Sequence, residues 1–523
     1  MAYAKACYRT LGIAYADFSE EEWAELKEQH NGLVEIEDRR KIDNNLIMVA
    51  MFGIEDPLRP GIKQAVMDHA RAGVRTIMVT GDNIDTAKAI AYQAGILNED
   101  DWNKINSGHR DADTICMRGL EFRQKTEGYV HEARGDDKDE KDYIVNSHEF
   151  NKITKNLKVM ARCAPEHKYL LVTGLIEREY VVAVTGDGTN DAPALKRADV
   201  GFAMGTGSDA AKDSAKIILT GDDFCATLAT VKFGRNIFDS VRKFLQFQLT
   251  INVVAMIVVF LGMCLFDGAI LTSVQILWVN LIMDTFAALA LATEPPTDDL
   301  LLRQPQKRKD SIINAQMWRN IFGWSFAQLI IMFFVLYCGA PIFGIDFNEK
   351  DPYFITEDMV LANPLLTIGA TGKTVVYTLA FQTFVFMQLF NQINARKLGR
   401  PADKVKGTAA VEEYNVFAGF FNNPLFLVIT VGTFAAQFAI VYLGGQFLRV
   451  APLTLGQNMF SFGMGFFMLP WTLLVKKIPS TWFEGIGVSE DAPATGEVSG
   501  FSVSRRSMSK KLQKSMEAKI KKT

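Results

Sequence analysis

Two carboxylates, Asp187 and Asp191, stand four residues apart in the segment Val181-Val182-Ala183-Val184-Thr185-Gly186-Asp187-Gly188-Thr189-Asn190-Asp191-Ala192-Pro193-Ala194-Leu195. An apolar run ending in a glycine-punctuated turn reads as a buried parallel strand, and open α/β sheets hold ligands at the carboxyl ends of such strands. Paired hard oxygens at that turn suit Mg²⁺, which takes one or two carboxylates with water and phosphate. A tight turn with no chemistry would use the same glycines, so a second copy of the pattern carries weight. Thr76-Ile77-Met78-Val79-Thr80-Gly81-Asp82-Asn83 supplies one, and Ala87 to Gly95 then reads as a helix closed by glycine. Two strands ending in Thr-Gly-Asp set hydroxyl, N–H and carboxylate groups on one rim, a layout for handling phosphate.

A different chemistry is written further along. Asn280 and Asp284 lie four apart within an apolar stretch, which on an α-helix places them on one face. An acid inside a membrane helix is costly and usually functional; about ten mostly apolar residues separate Asp284 from Pro295, which argues against a helix-end Asp reaching water. Oxygen donors of this kind suit Ca²⁺, and Asn252, in the preceding apolar segment, could reach the same cavity. Six segments, near 244–266, 272–293, 321–342, 374–392, 424–444 and 458–475, are each about long enough to cross a bilayer. The loop after the second carries Arg303, Lys307, Arg308 and Lys309; that after the fourth carries Arg396, Lys397, Arg400, Lys404 and Lys406; that after the third is acidic, with Asp346, Glu349, Asp351, Glu357 and Asp358. Basic loops stay in the cytoplasm, so six crossings put both chain ends there.

The chain has 523 residues, 49% of them hydrophobic and 22% charged, with the two kinds segregated along its length. A net charge of −3 gives no argument for a nucleic-acid partner. Six scattered cysteines without a C-x-x-C pair indicate neither a zinc site nor a disulfide framework, which fits a head in a reducing compartment. Met1 to Thr10 has no long apolar core of the signal-peptide kind. Residues 126–150, with Glu132, Arg134, Asp136, Asp137, Lys138, Asp139, Glu140, Lys141 and Asp142, read as a solvated insert. Thr371-Gly372-Lys373-Thr374 imitates the end of a P-loop, but Thr367 stands where the first glycine is needed and a membrane segment follows. In the tail, 501–523, eight basic residues (Arg505, Arg506, Lys510, Lys511, Lys514, Lys519, Lys521, Lys522) face the single acid Glu517, with Phe501, Met508, Leu512, Met516 and Ile520 at roughly helical spacing. That pattern fits a helix that binds calmodulin or an anionic membrane surface, and equally a solvated tail. Glu490 to Gly500 reads as a linker.

The two Thr-Gly-Asp motifs, in this order, resemble the phosphorylation domain of P-type ATPases. Asp56-Pro57-Leu58-Arg59-Pro60 resembles that family's DPxR element, Ala164-Pro165-Glu166-His167-Lys168 its P-x-x-K element, and Ala198 to Gly205 the strand after the hinge motif. Phe244 to Thr250, Trp278 to Thr285, and Leu291 to Pro296 look like the plasma-membrane-type calcium pumps. The resemblance runs from near the start to about residue 480. It implies an α/β doubly wound, haloacid-dehalogenase-like phosphorylation domain plus an all-α membrane domain of six transmembrane helices. The divisions it implies are 1–50 for the end of a nucleotide-binding domain, 51–235 for the phosphorylation domain, 240–478 for the membrane domain, and 479–523 for a cytoplasmic linker and tail.

By the same resemblance Asp187 holds Mg²⁺ and Asp191 supports it or the hinge. Thr80 and Gly81 contact the transferred phosphoryl with Asp82 nearby, and Lys168 neutralises its charge. Asn190 and Arg162 match positions that contact nucleotide or phosphate, and Arg9 weakly matches a nucleotide-contacting arginine of the ATP site. Asn280 and Asp284 lie in a stretch that carries the likeness to the calcium pumps. Reticulum-type calcium pumps have Glu where Ala255 stands and Thr where Met283 stands, so one transported Ca²⁺ is implied. The resemblance further implies an integral protein of the plasma membrane, in contact with lipid, with an autoinhibitory tail of the calmodulin-binding sort. The family's D-K-T-G-T phosphorylation motif, its P-E-G-L-P segment, its actuator domain and its first four helices have no counterpart here. The chain therefore resembles the C-terminal half of a pump, and alone is expected neither to form the aspartyl phosphate nor to transport. A short non-catalytic membrane protein with a binding or regulatory role, and a pump for another cation, stay open as alternatives.

Overall fold

The computed structural model describes residues 9–29, 46–54, 57–132, 141–221, 223–265, 269–306, 308, 310–345, 372–399, 414–483 and 486. Strands β1 (Arg9–Tyr15) and β2 (Ile47–Ile54) form an antiparallel ribbon, with Leu11 opposite Phe52 and Ile13 opposite Ala50. Its apolar side chains are open to solvent on both faces, Leu11 at 54% on one and Met51 at 46% on the other. A two-stranded ribbon buries too little to stand alone, and apolar patches of this kind mark a surface that packs against something else.

The head that follows alternates strands and helices as expected. Helix α1 (Ile62–Arg71) leads to β3 (Met78–Val79) and α2 (Ile84–Gln93). Asn83 caps α2 through Asp85 N–H, and Gly95, at φ +77°, takes the left-handed turn just beyond its end. Strands β4 (Cys116–Arg118) and β7 (Val159–Ala161) join β3 in a parallel sheet of order β3-β7-β4. Helix α3 (Pro165–Glu177) runs from β7 to β8 (Ala183–Gly186), and α4 (Ala192–Arg197) from β8 to β9 (Val200–Met204). β8, β9 and β10 (Ile217–Leu219) make a second parallel sheet. The two sheets share one core, in which Met117, Met160, Leu171, Val182 and Ala194 pack with Val79 and Val184. β3 and β8 are each the edge of their sheet.

The charge-rich stretch 126–150 is more than a solvated insert. Strands β5 (Tyr129–Glu132) and β6 (Lys141–Ile144) pair antiparallel, and Ile144 is buried. Asp142 accepts from Tyr169 Oη and lies 2.8 Å from His131 Nδ1, so its charge is spent inside the fold. Arg134, Asp136, Asp137, Lys138, Asp139 and Glu140 lie outside the described residues. So do the acidic loop from Asp346 to Asp358, the basic residues Lys307, Lys309, Arg400, Lys404 and Lys406, residue Asp56, and the tail 501–523.

The membrane part begins with α5 (Ala226–Leu265), one unbroken helix of 40 residues that starts in the head. Next is α6 (Ser273–Ala292), whose stretch Trp278–Met283 is a π-helix. Then come α7 (Ala315–Phe343), α8 (Gly372–Ala395), α9 (Pro424–Leu443) and α10 (Leu455–Val475). Among the described residues five of these, all but α8, are long and apolar enough to cross a membrane. The chain is an integral membrane protein. Helix α8 has the length, 24 residues, but carries amides through its middle and lies buried among the others. Gln382 receives a bond from Gln437 at 2.8 Å and gives one to Asn458 at 3.3 Å, and Trp278 Nε1 donates to Gln437 at 3.2 Å. These bonds tie α6, α8, α9 and α10 together, since interhelical hydrogen bonds hold helices where lipid is as apolar as the side chains.

Head and bundle meet at a built joint. Arg235 on α5 donates to Ala72 O in the head at 2.6 Å and to Leu300 O and Arg303 O at 2.8 and 2.9 Å in the loop after α6. Arg308 in that loop reaches both oxygens of Asp199, at 2.6 and 2.5 Å, in the head. The basic loop after α6 therefore sits on the head's side of the bundle. At the far side of the joint Glu294, just past α6, is gripped by Lys243 of α5 and by Arg396 Nε and Nη2 (2.8 and 2.7 Å) beyond α8. Arg396 itself lies against the rings of Phe420 and Phe426. Burial opposes the charge on Glu294, but the two cations outweigh it and hold the carboxyl below its ordinary value.

His69 on α1 completes the joint. It is 5% exposed, and its Nε2 lies 2.9 Å from Thr227 Oγ1 at the start of α5. Thr227 gives its own proton to Phe224 O, so the histidine is the donor and Nδ1 is left buried without a partner. Burial holds the imidazole below its usual value, with Asp68 opposing. Below about pH 6.5 the unfolded chain takes up a proton that the folded chain refuses, so this contribution fades as pH falls and levels off below the folded value. The thermal midpoint of the detergent-solubilised chain is expected to drop between about pH 7 and pH 5, and His69→Gln is expected to flatten that part of the slope. An unchanged slope in the variant would assign the acid sensitivity elsewhere.

Candidate functional site

The rim of the head gathers most of the residues singled out from the sequence. Thr80 follows β3; its N–H bonds Met160 O at 2.9 Å, and its hydroxyl donates to Asp82 Oδ2 at 2.9 Å. The Asp82 N–H returns to Thr80 Oγ1 at 3.1 Å, closing the Thr-Gly-Asp turn. Gly81 has open space where a side chain would stand. Arg162, exposed, sits after β7 at φ +52°, a strained conformation for a residue with a Cβ, and its N–H bonds Asp82 O at 3.0 Å. Cys163 N–H bonds Thr80 O at 3.0 Å. Burial pushes the Cys163 thiol up to about 12, against the pull of Lys168, so the rim carries no thiolate.

Lys168, on the first turn of α3, crosses to the other sheet. Its Nζ is 2.6 Å from Asp191 Oδ1, with the two side chains 17% and 14% exposed. Asp191 Oδ2 accepts the Gly188 N–H at 3.3 Å. The pair spans 23 residues of sequence, which spacing alone could not reveal. Gly186 makes it possible, because a Cβ there would stand 2.6 Å from Asp191 Cβ. Asp187, one residue past β8, is exposed; its carbonyl accepts the Ser208 N–H at 2.8 Å, which orients the turn. Asn190 is exposed in the 3₁₀ turn Thr189–Asp191. The backbone of Arg9 pairs with Ile54, and its side chain lies outside what is described. The rim thus offers one open carboxylate, Asp187, beside a second carboxylate already neutralised by lysine.

The membrane residues are arranged differently from simple helical expectation. The π turn at Trp278–Met283 separates Asn280, which is exposed, from Asp284, which is 4% exposed. Such turns are rare and recur at functional sites. Three acids are buried among the described residues: Asp101, Asp239 and Asp284. Lys158 meets Asp101 at 2.5 Å and Arg303 meets Asp239 at 2.6 Å. Both oxygens of Asp284 lack a hydrogen-bond partner. Gln248 of α5 faces it and also donates to Asn252 Oδ1 at 3.4 Å. Asn252 itself is exposed. Gln248 was not singled out from the sequence, although its place one turn before Asn252 was a usable signal. No group of three His, Cys, Asp or Glu side chains able to hold a metal occurs among the described residues.

Comparison with known proteins bears on this geometry. A family model for the C-terminus of cation transporting ATPases matches residues 268–478. One for cytoplasmic domain N of P-type ATPases matches residues 1–61, and one for haloacid dehalogenase-like hydrolases matches residues 168–224. Plasma membrane calcium-transporting ATPase 1 of Mus musculus is 41% identical over 483 residues, covering 90% of this chain and 34% of that protein. The chain belongs to the P-type ATPases. It is also similar to plasma membrane calcium-transporting ATPase 2 of Oreochromis mossambicus, at 42% identity over 90% of this chain and 38% of the relative. Plasma membrane calcium-transporting ATPase 3 of Homo sapiens is 40% identical over 94% of this chain and 36% of the relative. The chain spans about a third of the length of these relatives. The haloacid dehalogenase-like match covers Lys168, Asp187 and Asp191, and the C-terminal match covers Asn280 and Asp284.

The Lys168–Asp191 pair generates a prediction for this P-type ATPase head. Asp191→Asn removes the partner of a mostly buried lysine and is expected to cost about 1–3 kcal/mol in head stability, read by thermal unfolding. Asp187→Asn removes an exposed group and is expected to leave that midpoint within about 0.5 kcal/mol, while abolishing Mn²⁺ binding in a calorimetric titration. Equal losses of stability in the two variants would contradict this division of labour.

Proposed function

We propose that the chain is the C-terminal part of an ATP-driven pump that exports Ca²⁺ from the cytosol across the plasma membrane through an aspartyl-phosphate cycle. The observation that carries this reading is one continuous helix that joins the head to a buried acid: α5 starts in the head, where Thr227 and Arg235 hold His69 and Ala72, and the uncompensated Asp284 faces Gln248 in its middle. A buried carboxylate without a counter-charge is where a cation gains most. Asp284, Asn280 and Asn252 are its ligands in this proposal, with Gln248 added. Ca²⁺ takes six to eight oxygens, so these residues supply only part of the shell. The exposed side of Asn252 and Asn280 is then the face where a further membrane helix completes it.

On the rim the donor set fits Mg²⁺: Asp187 offers an open hard oxygen, and Asp191 is neutralised by Lys168. When bound, the ion supplies positive charge to a transferring phosphoryl group. Lys168 is held by Asp191 at the height of the strand ends, where a point charge meets the same phosphoryl. Thr80 and Gly81 offer hydroxyl and N–H, with Gly81 leaving room for close approach; Asp82 fixes the Thr80 hydroxyl. Arg162 and Asn190 are exposed beside them for the nucleotide or phosphate of ATP, and Arg9 is proposed for the nucleotide from the β1–β2 ribbon. Residues 1–50 are the end of a nucleotide-binding domain and 51–235 the phosphorylation domain. β3 and β8 are the edge strands of two parallel sheets that feed one core, and a strand bearing the acceptor Asp is proposed to join them. The apolar faces of the ribbon likewise suit the rest of a nucleotide-binding domain.

In the membrane, α8 is the sixth crossing, its amides hidden from lipid by the helices around it; residues 240–478 then form a six-helix domain with both chain ends in the cytoplasm. Residues 479–523 are proposed as a linker and a basic tail that binds calmodulin. The deciding experiment is an immunoblot of the native source with an antibody against Ser502–Thr523, coupled to phosphorylation. The purified chain alone is expected to incorporate no acid-stable phosphate from ATP in response to calcium, whereas a heavier native product carrying the D-K-T-G-T motif is expected to do so and to lose it on Asp187→Asn. Calcium-dependent, acid-stable phosphate on the isolated chain would sink the proposal.

A further inference from the structure

On the side of α5 turned toward α7 and α8, the bundle buries a set of amides far beyond what its hydrogen bonds use. Gln246 of α5 accepts from Asn320 of α7 at 3.2 Å, and Gln388 of α8 donates to Gln328 of α7 at 2.9 Å. Asn320, Trp324 and Gln328 follow one another at intervals of four on α7, so they line one stripe. On α8, Gln388 and Gln392 lie four apart, with Asn391 three from Gln388 on the same side. All of these side chains are between 0% and 2% exposed. Yet Gln246 Nε2, Trp324 Nε1, Gln328 Nε2, Gln388 Oε1, both amide atoms of Asn391 and Gln392 Nε2 have no partner. Turning both amides of the Gln328–Gln388 pair over changes which atoms are left, not how many.

Seven orphaned polar atoms on three mutually packed helices cannot be met by lipid, and leaving them unmet inside hydrocarbon is costly. Ordered water is the ligand that satisfies donors and acceptors together, with each buried molecule typically making about three bonds. We infer that α5, α7 and α8 enclose a hydrated polar seam, a site for a small file of bound water inside the membrane bundle and separate from the proposed ion site. Gln246 and Gln248 are two residues apart on α5 and so point to nearly opposite sides; the seam lies behind the helix that faces Asp284. Its mouth is at the head end. Gln392 is one turn before Arg396, whose Nη1 is also buried without a partner, and Arg396 is paired with the 14% exposed Glu294. Water enters beside that ion pair. The consequence is mechanical. Dry amide pairs would lock α5 against α7 and α8, whereas water exchanges partners as the helices slide, so α5 can transmit movement of the head without breaking a fixed set of bonds.

The test uses the full chain in lipid nanodiscs. Hydroxyl-radical footprinting is expected to oxidise Trp324 several-fold faster than Phe386, which is equally buried but packed against the rings of Phe434, Phe438 and Phe462. Trp324 as protected as Phe386 would overturn the inference. Asn391→Leu provides a second reading: in a wet seam it strands the neighbouring amides and lowers the thermal midpoint, and in a dry one it removes two unmet atoms and raises it. A raised midpoint overturns the inference, and a lowered midpoint with slower Trp324 oxidation supports it.

Discussion

The structure depends on one helix that cannot be interrupted. Where α5 crosses hydrocarbon its backbone groups have no water to meet, so each must bond within the helix. The same helix continues into the head without a break, 40 residues or roughly 60 Å at 1.5 Å per residue. Because it is continuous, contacts at its start and middle are parts of one rigid body. Thr227 holds His69 of the head, Arg235 clasps Ala72 and the loop after α6, Lys243 grips Glu294, and Gln248 faces Asp284. A shift of the head must therefore be felt at the level of Asp284 or be absorbed by bending, for which α5 has neither proline nor a π turn.

α6 is the complementary case. It is as apolar as a membrane helix should be, but its register is loosened at Trp278–Met283 and its end is pinned two residues past Ala292 by Glu294. A helix fixed at one end and wound differently at its centre is the element that can change the exposure of Asn280 relative to Asp284. Glu294 fits this role because it is compensated twice, by Lys243 and Arg396, so it anchors α6 to α5 and α8 at once. Removing one partner from a buried ion cluster of this sort leaves an uncompensated charge, which is worse than having no cluster.

Much of this was legible in the residues, and the parts that were not share a cause. Strands and turns of the head could be read because Thr-Gly-Asp follows apolar runs, and Gly95 stops α2 where a left-handed turn is needed. Five of the six apolar segments match helices long and apolar enough to cross a membrane. The segment near 374–392 is helical as expected, but its amides, Gln382, Gln388, Asn391 and Gln392, dilute the apolar signal, because a helix wholly surrounded by others need not be oily. Pairings across long separations were invisible: Lys168 with Asp191, Arg396 with Glu294, Gln437 with Gln382. So was the π turn, since the rule that residues four apart share a face assumes an α-helix and Asn280 does not share the burial of Asp284. The charged run from 126 to 150 misled for a related reason. Composition reports solvation on average, while a single Tyr169 can bring one of its acids, Asp142, into the fold.

How this protein treats acids separates scaffold from site. Asp101 and Asp239 are buried and each has a cation in contact; Glu294, nearly as buried, has two; Asp191 has Lys168. These charges are spent on structure, and their partners come from the chain itself. Asp284 is buried without one and Asp187 is exposed without one. In a low-dielectric interior an unpaired carboxylate is unstable unless it is protonated or meets a cation. Among the described residues the fold compensates every other buried acid, and Lys243 and Arg396 meet Glu294 about three turns beyond Asp284. No cation among the described residues meets Asp284, which is the observation behind the proposal that it is a cation site, and Asp187, left open on a rim built around a fixed lysine, supports the proposed magnesium site in the same way.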